Sequence, residues 1–157
     1  MADKAISSSN ASIFLDEIKG AIGGSLNYEP KDTSDKWVFA EVSVNASGDL
    51  ISTSQDYMGS GVAVHGDDKV HWIAVKNLST TATDGICLCF DGGAAAYDLV
   101  DGVFIGAGEV LMLKCPNTTT SNLHAASVTM DGTYGYPSAA SSSAVSVHVA
   151  AILDDVS

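Results

Sequence analysis

Three cysteines and four histidines are the residues of this chain with the most chemistry in them, and their spacing decides what they can do. Cys87 and Cys89 stand one residue apart in "DGICLCFDGG", which runs from Asp84 to Gly93. A zinc site wants Cys-x2-Cys pairs or a His-x3–5-His partner. His124 and His148 have neither spacing, and His65 and His71, with five residues between them, have no Cys-x2-Cys pair to go with them. In "GICLCF" the large apolar residues Ile86, Leu88 and Phe90 alternate with the two cysteines, the period of a strand. Two steps along a strand is about 6.6 Å, too far for a comfortable disulfide between Cys87 and Cys89. Cys115 closes a second apolar run, "EVLMLKC". All three are expected to be structural thiols, reduced and metal-free.

The remaining candidates have ordinary accounts. Four Asp-Gly pairs, beginning at Asp84, Asp91, Asp101 and Asp131, lack the Asp-x-Asp-x-Asp-Gly spacing of a calcium loop and read as turns. Gly106 and Gly108 precede a strand, whereas a phosphate-binding glycine loop precedes a helix. The glutamates are Glu17, Glu29, Glu41 and Glu109, and nothing pairs them for acid–base work. His124 and His148 lie in apolar alternating runs, as partly buried, hydrogen-bonded imidazoles would. The expectation is therefore a protein that is not an enzyme: no catalytic residues, no cofactor and no metal.

Composition narrows the partners. The net charge is −12, the pI is about 4.3, and all seven basic residues are lysines. Recognition of phosphates and bases leans on arginine's planar fork, and a negative surface repels a phosphate backbone. Nucleic acid and anionic membrane are excluded as partners. "MADKAISSSNASIF" has no apolar core of signal-peptide length, and no stretch approaches the ~18 apolar residues of a membrane span. The expectation is a soluble chain made in a cytoplasm. Charged residues are 17% against 46% hydrophobic, so small neutral residues must cover much of the surface.

Two regions must position these residues. In residues 1–36, Ile13, Phe14, Ile18 and Ile22 fall at helical spacing after a run of cap-type residues and before Gly23-Gly24. That spacing predicts a short amphipathic helix whose apolar stripe has no cover within its own arm and should dock on a partner. From Trp37 to Ser157 short alternating runs follow: "WVFAEVSV", "GDLIS", "YMGSGVAV", "KVHWIAVKN", "GICLCF", "YDLV", "GVFI", "EVLMLKC", "LHAASVTM" and "AVSVHVAAIL". "TYGYPSAASSSA" reads as a loop of small residues. The fold expected is mainly β: a β-sandwich of jelly-roll type over 37–157, with a helical arm over 1–36.

From Lys69 to Leu153 the order "VHWIAVKNLS", "GICLCFDGG", "GAGEVLMLKCP", "NLHAASV", "VSVHVAAIL" resembles small virion structural proteins of tailed bacteriophages, of the head-decoration and particle-surface kind. The likeness covers about half the chain, and its motifs are structural. It implies a non-enzymatic capsid decoration or cement protein of the virion, touching the major capsid protein or other virion proteins. A homo-oligomer is expected, with a trimer as the first guess. Two other readings stand beside it. One is a tail, head-fibre or adhesion component using aromatics such as Tyr134 and Tyr136. The other is a cupin-like small enzyme or sugar-binding β domain, for which His65, His71 and Glu109 are the only metal set the sequence offers.

Overall fold

The computed structural model describes residues 5–15, 18–30, 35–58, 61–92 and 102–155. Eleven strands follow in chain order: β1 Ala5–Leu15, β2 Ile18–Tyr28, β3 Asp35–Val44, β4 Gly48–Asp49, β5 Lys69–Asn77, β6 Asp84–Cys89, β7 Val103–Ile105, β8 Val110–Thr119, β9 His124–Met130, β10 Pro137–Ala140 and β11 Val145–Asp154. A single 3-10 turn, Thr120–Asn122, joins β8 to β9. Among the described residues no helix is long and apolar enough to cross a membrane.

The strands form three antiparallel groups. One sheet has the order β3-β11-β5-β8. A second has the order β10-β9-β6-β7, with β4 also pairing β9. β1 and β2 make a separate hairpin. The two larger sheets share one core. Val38 of β3, Val70, Ile73 and Val75 of β5, and Val147, Val149, Ala151 and Leu153 of β11 meet Ile86 and Leu88 of β6, Ile105 of β7 and Ala125 of β9. Alternation builds this core directly, because each strand sends every second side chain inward. A fully buried residue such as Ile73 contributes about 1.5–3 kcal/mol by leaving water. Buried Asn77, at the end of β5, ties the sheets across that core. Its Nδ2 donates to Asp84 O at 3.1 Å and Ile105 O at 3.3 Å.

Several elements depart from the sequence reading. The N-terminal helix is replaced by strands: β1 and β2 pair in register from Ala5–Tyr28 to Leu15–Ile18. The spacing of Ile18 and Ile22 fits a helix and a strand equally well, since a step of four satisfies both periods. Leu26 and Tyr28 extend the set at even positions, and the step of two between them fits a strand and not a helix face. The serine-rich run of β1 also competes poorly for a helix interior. "YMGSGVAV" contributes only an isolated bridge, Asp56 with Ala63. The loop "TYGYPSAASSSA" contains β10. Asp84-Gly85 is not a turn but the start of β6, where Gly85 lies so close to β9 that a Cβ would sit 2.4 Å from Met130 Cγ.

Candidate functional site

The outer face of the β3-β11-β5-β8 sheet carries most of the chain's unusual features. At one end of this face Trp72 and Ile152 are buried against Trp37, Ala74 and Ala150, and Leu26 and Tyr28 of β2 complete the cluster. The hairpin is therefore rooted on the sheet. Trp37 and Trp72 meet edge to face, with centroids 6.0 Å apart. Farther along the same sheet the apolar surface runs into solvent: Phe39 is 57% exposed, Val110 51% and Met112 37%. His148 lies beside Phe39, 5.7 Å between ring centroids, and 3.7 Å from Glu41.

Beneath the hairpin root sits a polar cluster. Asp154 of β11 is the register partner of Asp35 on β3 and of Lys69 on β5. The register slips between Ile152 and Leu153, so that Trp72 and Val70 are paired and His71 is the extra residue of β5. Such a bulge re-aims a side chain. His71 Nε2 lies 3.6 Å from Asp35 Oδ1 and 3.8 Å from Asp154 Oδ2. The Asp35 side chain is 1% exposed. Tyr28 covers the cluster: its ring stacks on the imidazole at 5.9 Å and its hydroxyl donates to Asp35 Oδ2 at 3.4 Å.

A second buried polar group adjoins the same strand ends. Lys36 is paired with Asp155, and its Nζ lies 5.1 Å from the centre of the Tyr57 ring. The Tyr57 hydroxyl donates to Asp68 Oδ2, which also accepts from His65 N at 2.7 Å. Burial, reinforced by Asp68 and then by Asp155 and Asp154, holds the Tyr57 hydroxyl well above the ordinary phenol range. These groups are placed to hold structure together.

The residues singled out by sequence distribute as follows. Ile13 and Phe14 lie in β1 and Ile18 and Ile22 in β2, paired through the backbone with Gly20, Lys19, Leu15 and Ala11 respectively. Their side chains lie outside the described residues. Cys87, Cys89 and Cys115 are thiols, not half-cystines. Cys87 and Cys89 pack with Ala126, Val128, Met130 and Phe104, on the opposite side of β6 from Ile86 and Leu88. Burial pushes the Cys115 thiol up to about 12. His124 faces Asp49 at 3.2 Å, and His65 faces Asp67 at 3.8 Å.

The set His65, His71 and Glu109 is not assembled. Glu109 instead accepts from Gly106 N at 2.7 Å and closes its own loop. Tyr134 and Tyr136 are exposed and stacked, 6.0 Å apart, on a turn in which Asp131 Oδ1 accepts from Thr133 N and Tyr134 N. Asp35 and Asp154 were not singled out by sequence. They stand 36 and 83 residues from His71, a separation with no local signature.

No protein-family model, curated protein or solved structure matches the chain.

Proposed function

We propose that this chain is a non-enzymatic structural protein of a tailed-bacteriophage virion, a jelly-roll β-sandwich that decorates or cements the capsid shell. The strand order is the observation that supports the jelly-roll part of this reading, and the resemblance of the strand blocks to virion proteins supports the rest. Leaving aside the N-terminal hairpin and β10, eight strands remain. Their neighbours are nested: first with last (β3-β11), second with seventh (β4-β9), third with sixth (β5-β8) and fourth with fifth (β6-β7). A ribbon of nested pairs rolled into two sheets is the jelly-roll arrangement, used by capsid proteins, lectins and cupins alike. Fold alone does not select among these. The blocks that resemble virion proteins fall on β5, β6, β8, β9 and β11, which line the shared core.

Assembly is supported by the outer face. Phe39, Val110 and Met112 continue, into solvent, the apolar surface that Leu26 and Tyr28 already cover at its other end. A second copy of this chain is the occupant we assign, in a closed homo-oligomer for which a trimer is expected. The major capsid protein or another virion protein then binds the assembled unit. Its place is the virion. Quantitative mass spectrometry of purified particles tests this. Many copies per particle, in multiples of three, are expected, and absence of the chain from intact particles overturns the proposal.

The stacked, exposed Tyr134 and Tyr136 favour a second reading, a fibre or adhesion component that contacts sugar. Glycan-array binding that is lost in Tyr134→Ala would select it.

A further inference from the structure

We propose that Asp35, His71 and Asp154 form a binding site for a divalent transition cation of the zinc class, which clamps three strand ends beneath the hairpin root. Among the described residues, this is the one set of three metal-capable side chains whose ligand atoms all lie within 4.8 Å of one another. Three further observations point to a cation.

The first is the register. Asp35 and Asp154 are directly opposed across β3 and β11. Like charges in that relation repel; Lys69 faces Asp154 from β5, and a cation held between the two carboxylates would relieve their opposition further. The second is the bulge. β5 is interrupted on both its edges at His71: pairing with β11 skips from Val70 to Trp72, and so does pairing with β8. The extra residue sets an imidazole against the two carboxylates. The third is His71 Nε2 itself. This atom is sealed from solvent and makes no hydrogen bond. Its nearest acidic oxygens, at 3.6 and 3.8 Å, are beyond hydrogen-bonding distance.

Those separations suit an ion at the centre. Metal bonds of about 2.0–2.2 Å in a tetrahedral site put neighbouring donors roughly 3.3–3.5 Å apart. The two imidazole–carboxylate separations need to contract by only a few tenths of an ångström, and the two carboxylate oxygens lie within 4.8 Å of each other. One imidazole nitrogen with two carboxylate oxygens is a borderline donor set that zinc accepts readily, and one that magnesium or calcium, which prefer all-oxygen shells, does not select. Water or a second carboxylate oxygen completes the shell. The Tyr28 hydroxyl on Asp35 and the Tyr28 ring on His71 supply outer support of the kind that fixes ligand orientation. The cation would join β3, β5 and β11 to each other and hold the hairpin's Tyr28 in place.

Zinc alone is the probe, titrated into chelator-stripped, untagged full-length protein against a chromophoric indicator. One zinc per chain is expected, with a rise in melting temperature that grows with free zinc, as preferential binding to the folded state requires. His71→Gln and Asp154→Asn, both at partly exposed side chains, should each weaken binding at least about tenfold and abolish the thermal shift. Circular dichroism of both variants checks that the sheets persist, and a variant that unfolds is replaced by the other. Cys115→Ser should bind zinc as the parent does. No zinc uptake by the parent chain overturns the site. So does uptake that survives in the His71→Gln, Asp154→Asn double variant, or uptake lost with Cys115→Ser.

Discussion

Tyr57 and Asp68 are the residue pair on which most local structure converges. Asp68 is fully buried, and its carboxylate is held by the Tyr57 hydroxyl and by His65 N while its backbone carbonyl accepts from Thr120 N. Tyr57→Phe keeps the ring beneath Lys36 but removes one donor from a buried carboxylate. The expected cost is about 1–3 kcal/mol, read as a lower urea midpoint at unchanged slope. Cys115 yields a pH prediction. Its folded-state value, about 12, lies above the ordinary thiol value, so folding favours the neutral thiol. That contribution is complete below a pH of about 8.5 and is lost as pH rises toward the folded value, at up to about 1.4 kcal/mol per unit. Cys115→Val should therefore lose less stability than the parent between pH 8.5 and about 10, below the ordinary phenol range where Tyr57 adds a loss of the same sign. Denaturant titrations across that interval measure the difference.

The hairpin of β1 and β2 is the element whose role the fold redefines. A two-stranded hairpin is marginal by itself in water, and this one is attached through Leu26 and Tyr28 at the end of β2. Truncation should therefore split into two regimes. Removing residues 1–24 keeps Leu26 and Tyr28 and should leave the melting transition of the two large sheets nearly unchanged. Removing residues 1–30 uncovers Trp72 and Ile152, and should lower stability by about 1–3 kcal/mol, a fraction of the value of two fully buried side chains. Calorimetry on both truncations, with particle attachment measured alongside, separates the hairpin's structural root from the reach of its distal part. That distal part includes Ile13, Phe14, Ile18 and Ile22, the anchoring residues expected from sequence. Equal loss of stability in the two truncations would mean that the root is not at Leu26 and Tyr28.

At the scale of the whole molecule, the exposed end of the outer face bears on assembly. Phe39→Asp with Met112→Asp places charge on that face without touching the shared core. The double variant should fold as the parent does and sediment as a monomer, while the parent sediments as a closed oligomer, a trimer by expectation. A parent chain that stays monomeric at high concentration would remove the support that this face gives to assembly. The net charge of −12 works against self-association at low salt. The oligomer should therefore tighten as salt screens that repulsion, over a Debye length of about 10 Å at 0.1 M. Sedimentation at two ionic strengths measures this.

Alternation made the β character of residues 37–157 legible in advance, because side-chain direction along a strand depends only on position parity. "GICLCF" placed Ile86 and Leu88 on one side and Cys87 and Cys89 on the other, and the structure packs them into separate clusters. "KVHWIAVKN" and "AVSVHVAAIL" became central neighbours in one sheet for the same reason. Parity failed where a spacing of four served two periods at once, and residues 5–15 and 18–28 became strands instead of a helix. Which strands pair was beyond the sequence, since β3 meets β11 across a hundred residues through hydrogen bonds that carry no residue code. The bulge that singles out His71, and the opposition of Asp35 to Asp154, exist only once that register is set. The histidine was visible as a residue type throughout. Its two carboxylate neighbours were brought to it by the tertiary structure alone, because contact across a sheet depends on strand order and not on distance along the chain.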